Sequence, residues 1–408
     1  MPFDRIEQAL VRELEALTQA GTRKGEESVV TRVLPAEGER GPRVLLAGEG
    51  ERPFLRMNSN GYLGMALRPE VIAAEEEAAR AFGTGPQAVR FISGTFAPHV
   101  ELERRLAAFH RRDAGMIYSS AYAAVMGILP PLIDTGTAVI SDELNHNCII
   151  NAIRLAQPAE KRVYPHCDLL ALARTLEDVA GRCRRAIVVT DGVFSMRGDH
   201  APLDRIMALA REHDARFPEN VVVVVDDSHG VGALGETGRG TEEAAGARAD
   251  VLVATLGKAL GVNGGYVVGG EPLVTFLREK SPFYVYSNPI TPAEAAAAGR
   301  ALAWLDSAAG RDALVRLRAL TRRLRDGLGK LGFESIPGEH PVVPLLVRDT
   351  PRTAALVAHL RVRGILATGL AYPVVPQGDE EIRFQLSAEH TEADVDAVLA
   401  ALASHEGR

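Results

Sequence analysis

The chain has 408 residues, 46% hydrophobic and 24% charged, with a net charge of −7, which bounds it as an ordinary soluble protein long enough for a large domain plus a smaller one. The acidic balance and the lack of any Lys/Arg-rich run argue against a nucleic-acid surface. No run of about 18 apolar residues could cross a membrane, and Met1-Pro2-Phe3-Asp4-Arg5 lacks an apolar signal core, so a cytoplasmic protein is expected, with Cys148, Cys167 and Cys183 as free thiols and no metal-type spacing.

Phe3, Ile6, Leu10, Leu14 and Leu17 recur at helical spacing and predict an amphipathic helix. Residues 21–50 are polar and glycine-rich, a connecting arm. Phe54 to Asn58 reads as a strand entering the turn Ser59-Asn60-Gly61-Tyr62-Leu63-Gly64, where Asn60 serves either backbone geometry or as a substrate-facing amide. Pro69 to Phe82 predicts a helix with proline in its first turn. Gly83 to Thr95 is too rich in glycine for regular structure, and a loop of that length tends to be functional. His99 to His110 returns to helix, with Leu102, Leu106 and Phe109 on one face.

Met116-Ile117-Tyr118 then runs as a strand into Ser119-Ser120-Ala121-Tyr122-Ala123 and a helix. Small residues at such a junction let backbone N–H groups meet an anion, and the helix N-terminus adds partial positive charge. That is the outline of a phosphate site, although a plain strand-to-helix turn fits this stretch equally well. Ala138 to Ser141 is a strand delivering Asp142-Glu143-Leu144-Asn145-His146 to the same edge; His146 precedes a helix over 147–156, as a cap or as a flat ring for stacking. Arg185 to Thr190 is a further buried strand, ending in Asp191-Gly192-Val193-Phe194-Ser195-Met196, and a helix from Leu203 to His213 leads on to Val221-Val222-Val223-Val224-Val225. Strands alternating with helices in this way predict a parallel sheet with right-handed crossovers.

The valine run ends in Asp226-Asp227-Ser228-His229-Gly230, and polar residues at the carboxyl end of a buried strand sit where ligands bind in an α/β sheet. A second apolar strand, Ala249 to Ala254, runs into Thr255-Leu256-Gly257-Lys258-Ala259-Leu260-Gly261. Lys258 directly after a strand is suited to a Schiff base with an aldehyde. The order Asp, His, Lys also suits pyridoxal 5'-phosphate (PLP): a carboxylate for the pyridine nitrogen, an imidazole for the ring oxygen, an amine for the aldehyde. Ser228 and His229 are adjacent and cannot serve each other as nucleophile and base, which disfavours a hydrolase triad. Beyond Gly265, Tyr284 to Pro289 precedes helices over 292–306 and 311–331. Val342 to Val347, a helix over 353–363, Ile382 to Ser387 and a last helix then make an α+β unit that carries Arg383. An inward guanidinium there is a natural fork for a carboxylate.

Taken together, Asn60-Gly61-Tyr62-Leu63-Gly64, Arg90-Phe91-Ile92-Ser93-Gly94-Thr95, Tyr118-Ser119-Ser120, Leu144-Asn145-His146, Thr190 to Met196, Val225 to His229, Thr255 to Gly261 and Arg383 to Ala388 resemble the α-oxoamine synthases, fold-type I PLP enzymes. The resemblance runs from about Asn58 onward. It implies a large, mostly parallel seven-stranded α/β domain over 60–290, a smaller α+β domain over 291–408 and an N-terminal helix and arm over 1–59. It implies Lys258 as the Schiff-base lysine, Asp226 on the pyridinium nitrogen, His229 and Ser195 on the ring hydroxyl, and His146 stacked on the ring. Ser120, Ala121, Tyr122 and Thr255 would hold the phosphate, with Ser287 reaching it from a second subunit, so that active sites lie at a homodimer interface. Asn60 and Arg383 would take the amino-acid carboxylate, with Ala88 at the substrate face. The implied reaction is a Claisen-type condensation of an amino acid, glycine first, with an acyl-CoA, acetyl-CoA first, releasing CoA. The Arg90-Phe91-Ile92 and Tyr372-Pro373-Val374-Val375-Pro376 stretches favour that pair. Three departures, Asn147-Cys148 for Ala-Ser, Arg197 for an acidic residue and Ala88 for Ser, leave room for another amino acid or thioester. An aminotransferase or lyase on the same scaffold, or a non-catalytic subunit, are the rival readings; an intact Lys258 counts against the last.

Overall fold

The computed structural model describes residues 3–20, 22–23, 26–372 and 374–405, so Met1, Pro2, Gly21, Lys24, Gly25, Pro373 and residues 406–408 of the stretches above lie outside the described residues. The opening helix is Asp4–Gln19, and none of its residues is buried in the single chain. Inside the expected arm the chain forms a hairpin, β1 (Val30–Leu34) antiparallel to β2 (Arg43–Leu46). Charges and glycines masked its few apolar positions, of which Val44 and Leu46 pack with Phe54. The strand expected from Phe54 shrinks to β3 (Leu55–Arg56).

Seven strands make the main sheet: β4 (Ala114–Tyr118), β5 (Thr137–Asp142), β6 (Glu160–Tyr164), β7 (Arg185–Asp191), β8 (Val221–Asp226), β9 (Val251–Thr255) and β10 (Gly265–Gly269), in spatial order β4-β10-β9-β8-β7-β5-β6. The strands from β6 to β9 are parallel, and β10 runs antiparallel to both β9 and β4. Parallel strands covered on both faces read as continuous apolar runs, and Val223, Val224 and Val225 are accordingly buried. Sequence reasoning passed over β6 and the helix Leu169–Val179 that follows it. Being an edge strand, β6 carries Glu160, Lys161 and Arg162 where an inner strand would be apolar, a usual guard against edge pairing.

Common strand direction brings the carboxyl ends of β5, β7, β8 and β9 to one side of the sheet, where register sets Asp191 beside Asp226. The helix Ala121–Leu132 starts at that edge, and β10 passes its first turn so closely that a Cβ on Gly265 would lie 2.2 Å from the Ala121 nitrogen. Gly265→Ala is therefore expected to cost about 1–3 kcal/mol, the usual price of overpacking, read as a lower urea midpoint together with weaker cofactor retention.

The C-terminal part contributes β11 (Glu334–Ser335), β12 (Val342–Leu346), β13 (Ile365–Leu366), β14 (Thr368–Leu370) and β15 (Glu381–Gln385). Four of these form an antiparallel sheet in the order β11-β12-β15-β14, while β13 pairs in parallel with β3. Arg43 also forms an ion pair with Asp394, so residues just ahead of the main sheet are tied to the C-terminal unit. The helix Pro292–Leu305 packs instead on Pro69–Phe82 and Ala97–Phe109, beside the main sheet. One apolar cluster continues from Leu252 on β9 to Leu345 on β12 and Phe384 on β15. The glycine-rich loop over 83–95 is held by buried Arg90, whose Nη1 and Nη2 donate to Glu103 Oε1 and Oε2 at 3.0 and 3.1 Å and whose Nε donates to Thr95 Oγ1 at 3.0 Å.

Candidate active site

A cavity of about 240 Å³ opens at the carboxyl edge of the sheet, and its wall includes Ser120, Ala121, Tyr122, His146, Ser195, Asp226, His229, Thr255 and Lys258. Nine residues singled out from sequence, spread over more than 130 positions of chain, thus meet at one cavity. The sheet edge explains the convergence, because each is carried on a strand end or on the first turn after it.

The carboxylate side of the cavity is built on β7 and β8. Asp226 Oδ1 accepts from Ser228 N at 3.1 Å, and the Cys148 thiol lies 3.8 Å from Asp226 Oδ2. Cys148 Sγ is also 3.0 Å from His146 Nδ1. Asp191, which lines the same cavity, accepts from His146 N at 3.0 Å, while Asn145 clamps the turn by accepting from Asp191 N at 2.8 Å and donating to Val189 O at 2.8 Å. His146 is therefore both a helix cap, accepting from Cys148 N, and a residue of the cavity wall. Asp227, by contrast, turns away to receive Thr241 N at 2.8 Å, and burial lifts its carboxyl to about 7. Burial, then the neighbouring Asp226 charge, pushes the Asp191 carboxyl far above the ordinary range.

Lys258 sits on the loop after β9. Burial lowers its ammonium from 10.5 to about 8, against the opposing pull of Asp226 and Asp191. A substantial share of neutral amine at physiological pH is what a Schiff-base lysine needs. Capture of PLP by cofactor-free protein should accelerate with rising pH and level off above about 8, followed by stopped-flow absorbance. A rate still climbing toward pH 10.5 would contradict this environment.

In the wall of the same cavity, Ser120 caps the helix Ala121–Leu132 by accepting from Ala123 N at 3.0 Å, and the first N–H groups of a helix lack intrahelical partners. Thr255 Oγ1 accepts from Gly257 N at 3.0 Å beside this turn. Tyr122 donates its hydroxyl to Asn147 Oδ1 at 3.0 Å, which gives Asn147, a departure from the family pattern, a local partner.

A second network adjoins His229. Tyr62 places its hydroxyl 2.7 Å from His229 Nδ1, and His340 Nε2 lies 2.8 Å from the His229 carbonyl oxygen. Burial holds both imidazoles below their usual value, His340 at about 3. Arg383 Nη2 donates to Asn60 Oδ1 at 3.2 Å, and Arg383 Nε is buried without a partner among the described residues. Asn60, Ala88, Ser287 and Arg383 are not among the lining residues of this chain's cavity; Asn60 and Arg383 pair with each other, Ala88 is half-buried in the 83–95 loop, and Ser287 follows the 81% exposed Tyr286. Sequence reasoning missed Tyr62, His340, Asp191 and Cys148 as parts of the site. Asp191 could have been found, since it ends a buried strand as Asp226 does; Tyr62 and His340 reach His229 from 167 and 111 residues away, which spacing does not reveal.

These residues fit PLP. An anion-seeking helix end, with a backbone approach that only Gly265 permits, shares one cavity with two aspartates, and a lysine whose amine is depressed lines the same space. Ser228 Oγ is also buried there without a partner among the described residues. Fold and site together define a PLP-dependent transferase of fold type I. The family model described as aminotransferase class I and II matches residues 52–402. The chain is 39% identical to the mitochondrial 2-amino-3-ketobutyrate coenzyme A ligase of Homo sapiens over 94% of its length and 88% of that protein's. It is 38% identical to the 8-amino-7-oxononanoate synthase of Symbiobacterium thermophilum, over 97% and 96%. A solved serine palmitoyltransferase variant from S. paucimobilis, with bound PLP-myriocin aldimine, superposes with a TM-score of 0.87 at 27% identity, over 99% of this chain and 97% of that one. The chain belongs to the α-oxoamine synthases, PLP-dependent acyltransferases within that family.

Proposed function

We propose that the protein condenses an amino acid, glycine first, with an acyl-CoA and releases CoA, working as a cytoplasmic homodimer. The observation that carries the reading is the meeting of Lys258, Asp226, His229 and His146 in one cavity beside a helix N-terminus. PLP, when bound, supplies the electron sink that makes an amino-acid α-carbon acidic. Lys258 Nζ holds the aldehyde end and later takes the α-proton, for which a value of about 8 suits it at neutral pH. Asp226 keeps a proton on the ring nitrogen, and His229 and Ser195 hold the ring hydroxyl. His146 would lie against the ring. Ser120, Ala121, Tyr122 and Thr255 grip the phosphate, joined by Ser287 of a second copy. Arg383, whose buried Nε has no partner among the described residues, and Asn60 orient the substrate carboxylate. Ala88 borders the substrate.

Acetyl-CoA is the donor favoured by the motifs, in line with the four-carbon ketobutyrate named for the human relative. A longer thioester is the second reading, supported by near-equal identity to a relative named for a nine-carbon oxononanoate. CoA-thiol release with glycine, alanine and serine against short and long acyl-CoAs tests both. Amino-group transfer to a keto acid with no thiol released would overturn the acyltransferase reading. No described helix is long and apolar enough to cross a membrane.

A further inference from the structure

Asp142, the last residue of β5, belongs to a cluster outside the wall of the cofactor cavity. Strand register sets it beside Tyr164, the last residue of β6, and the chain just beyond β6 turns His166 and Cys167 back against it. One ligand atom each from Asp142, His166 and Cys167 lie within 4.8 Å of one another. Sequence spacing does not reveal the group, because the carboxylate stands 24 positions ahead of His166 and meets it only through strand pairing. His166 Nδ1 is 3.2 Å from Asp142 Oδ1 and 3.7 Å from Cys167 Sγ. Two ligands of a tetrahedral ion with bonds of ~2.0–2.3 Å stand about 3.3–3.6 Å apart, so both separations approach those of a shared ion. The sulfur also lies 3.8 Å from Nε2, over the ring, and comes to the Nδ1 side by turning about χ1.

The surroundings of the imidazole match a metal ligand. Its Nε2 is 3.2 Å from Asp199 Oδ2, which in turn accepts from Arg197 Nε at 2.9 Å. A metal-bound histidine ordinarily gives its second N–H to a carboxylate in this way, which fixes the ring for the ion. Phe194 packs perpendicular to the same ring with centroids 4.3 Å apart, and Glu143 accepts from His166 N at 2.8 Å. Two buried polar atoms around the cluster lack a hydrogen-bond partner among the described residues: the hydroxyl of Tyr164, which is 1% exposed, and Asp199 Oδ1. Tyr164 leaves β6 on the face that Asp142 leaves β5, so a water on an ion held by Asp142 would give that hydroxyl a partner.

We propose that Asp142 Oδ1, His166 Nδ1 and Cys167 Sγ bind one divalent ion of the zinc class, with water in the fourth position and Asp199, held by Arg197, as the acceptor behind the imidazole. Nitrogen, sulfur and a single carboxylate oxygen are donors that zinc takes, whereas calcium and magnesium take oxygens. On binding, the ion replaces the Nδ1 proton shared with Asp142 and the thiol proton, and both protons leave to solvent. Two positive charges arrive as two leave, so the net charge of the cluster is unchanged. Asp142 begins the turn that presents His146, and Phe194 precedes Ser195, so one ion ties together two turns that line the cofactor cavity. The inference goes beyond the acyl-transfer reading and does not depend on it.

The test titrates chelator-dialysed holoenzyme with zinc chloride in a calorimeter. One ion per chain should bind with a Kd below about 1 µM and release about two protons, read from the enthalpy in buffers of different ionisation heat. Tm should rise with zinc. X-ray absorption at the zinc edge should show one sulfur at about 2.3 Å, with nitrogen and oxygen at about 2.0–2.2 Å. Cys167→Ala should remove the sulfur and weaken binding at least about 100-fold, whereas Asp199→Asn should keep the sulfur and weaken binding about 10- to 100-fold. Cys183→Ser should leave both readings as in wild type. Unchanged cofactor absorbance shows that each variant is folded. Zinc without sulfur in its shell, binding that never saturates, or an affinity untouched by Cys167→Ala means an adventitious ion only and overturns the proposal. No binding by the wild type overturns it as well, and leaves His166 as an imidazolium paired with Asp142 and Asp199.

Discussion

Lys258→Ala is expected to lower CoA release by at least about 10⁴-fold, the upper end of what a positioned acid or base is worth on its own, because the same amine also anchors the cofactor. The protein should still bind PLP through the helix end at Ala121 and the carboxylate at Asp226, which line the cavity without the amine. Absorbance of the purified variant, before and after added PLP, should therefore show free-aldehyde cofactor and no lysine-linked band. Two other outcomes are informative. Retained activity would remove Lys258 from the chemistry altogether. Loss of all PLP binding together with a lower Tm would mean that the loop after β9 needs the lysine to fold. The second is not expected, because Leu256, Ala259 and Leu260 are buried on either side of Lys258 and anchor that loop without it.

Much of the main sheet was legible because its inner strands are apolar by necessity. Val221 to Val225 must be covered on both faces, so composition alone located β8 and, with it, the cavity-lining Asp226 and His229. Edges obey another logic. β6 is charged because it borders solvent and β1 is exposed along nearly its whole length, so neither carries an inner strand's signature, while the buried β2 is only four residues long. The site divides similarly. Residues that end strands announce themselves, whereas Tyr62 and His340 enter only through tertiary packing against His229. The arginine in Arg90-Phe91-Ile92 shows the converse: a residue that stood out in the family pattern is sequestered in a buried pair with Glu103, where it orders the loop, while Phe91 and Ile92 lie exposed at 65% and 66%.

The sharpest test of the cofactor's orientation contrasts two neighbouring carboxylates. Asp226→Asn should reduce turnover by about 10²- to 10⁴-fold, the range for losing one group that holds a proton in place, because an amide carries no charge to keep the ring nitrogen protonated. Asp191→Asn should stay within about tenfold of wild type. Burial and the adjacent Asp226 already drive Asp191 far toward its neutral form, so the amide changes little charge, and its oxygen can still accept from His146 N. Cofactor absorbance as a function of pH distinguishes this from general damage: the spectrum should change with Asp226→Asn and stay close to wild type with Asp191→Asn. Equal effects in the two variants would mean that the ring nitrogen is served by the carboxylate pair as a unit. The reverse order would place the ring nitrogen beside β7 instead of β8, and the hydroxyl and phosphate contacts would then have to be reassigned around a ring turned within the same cavity.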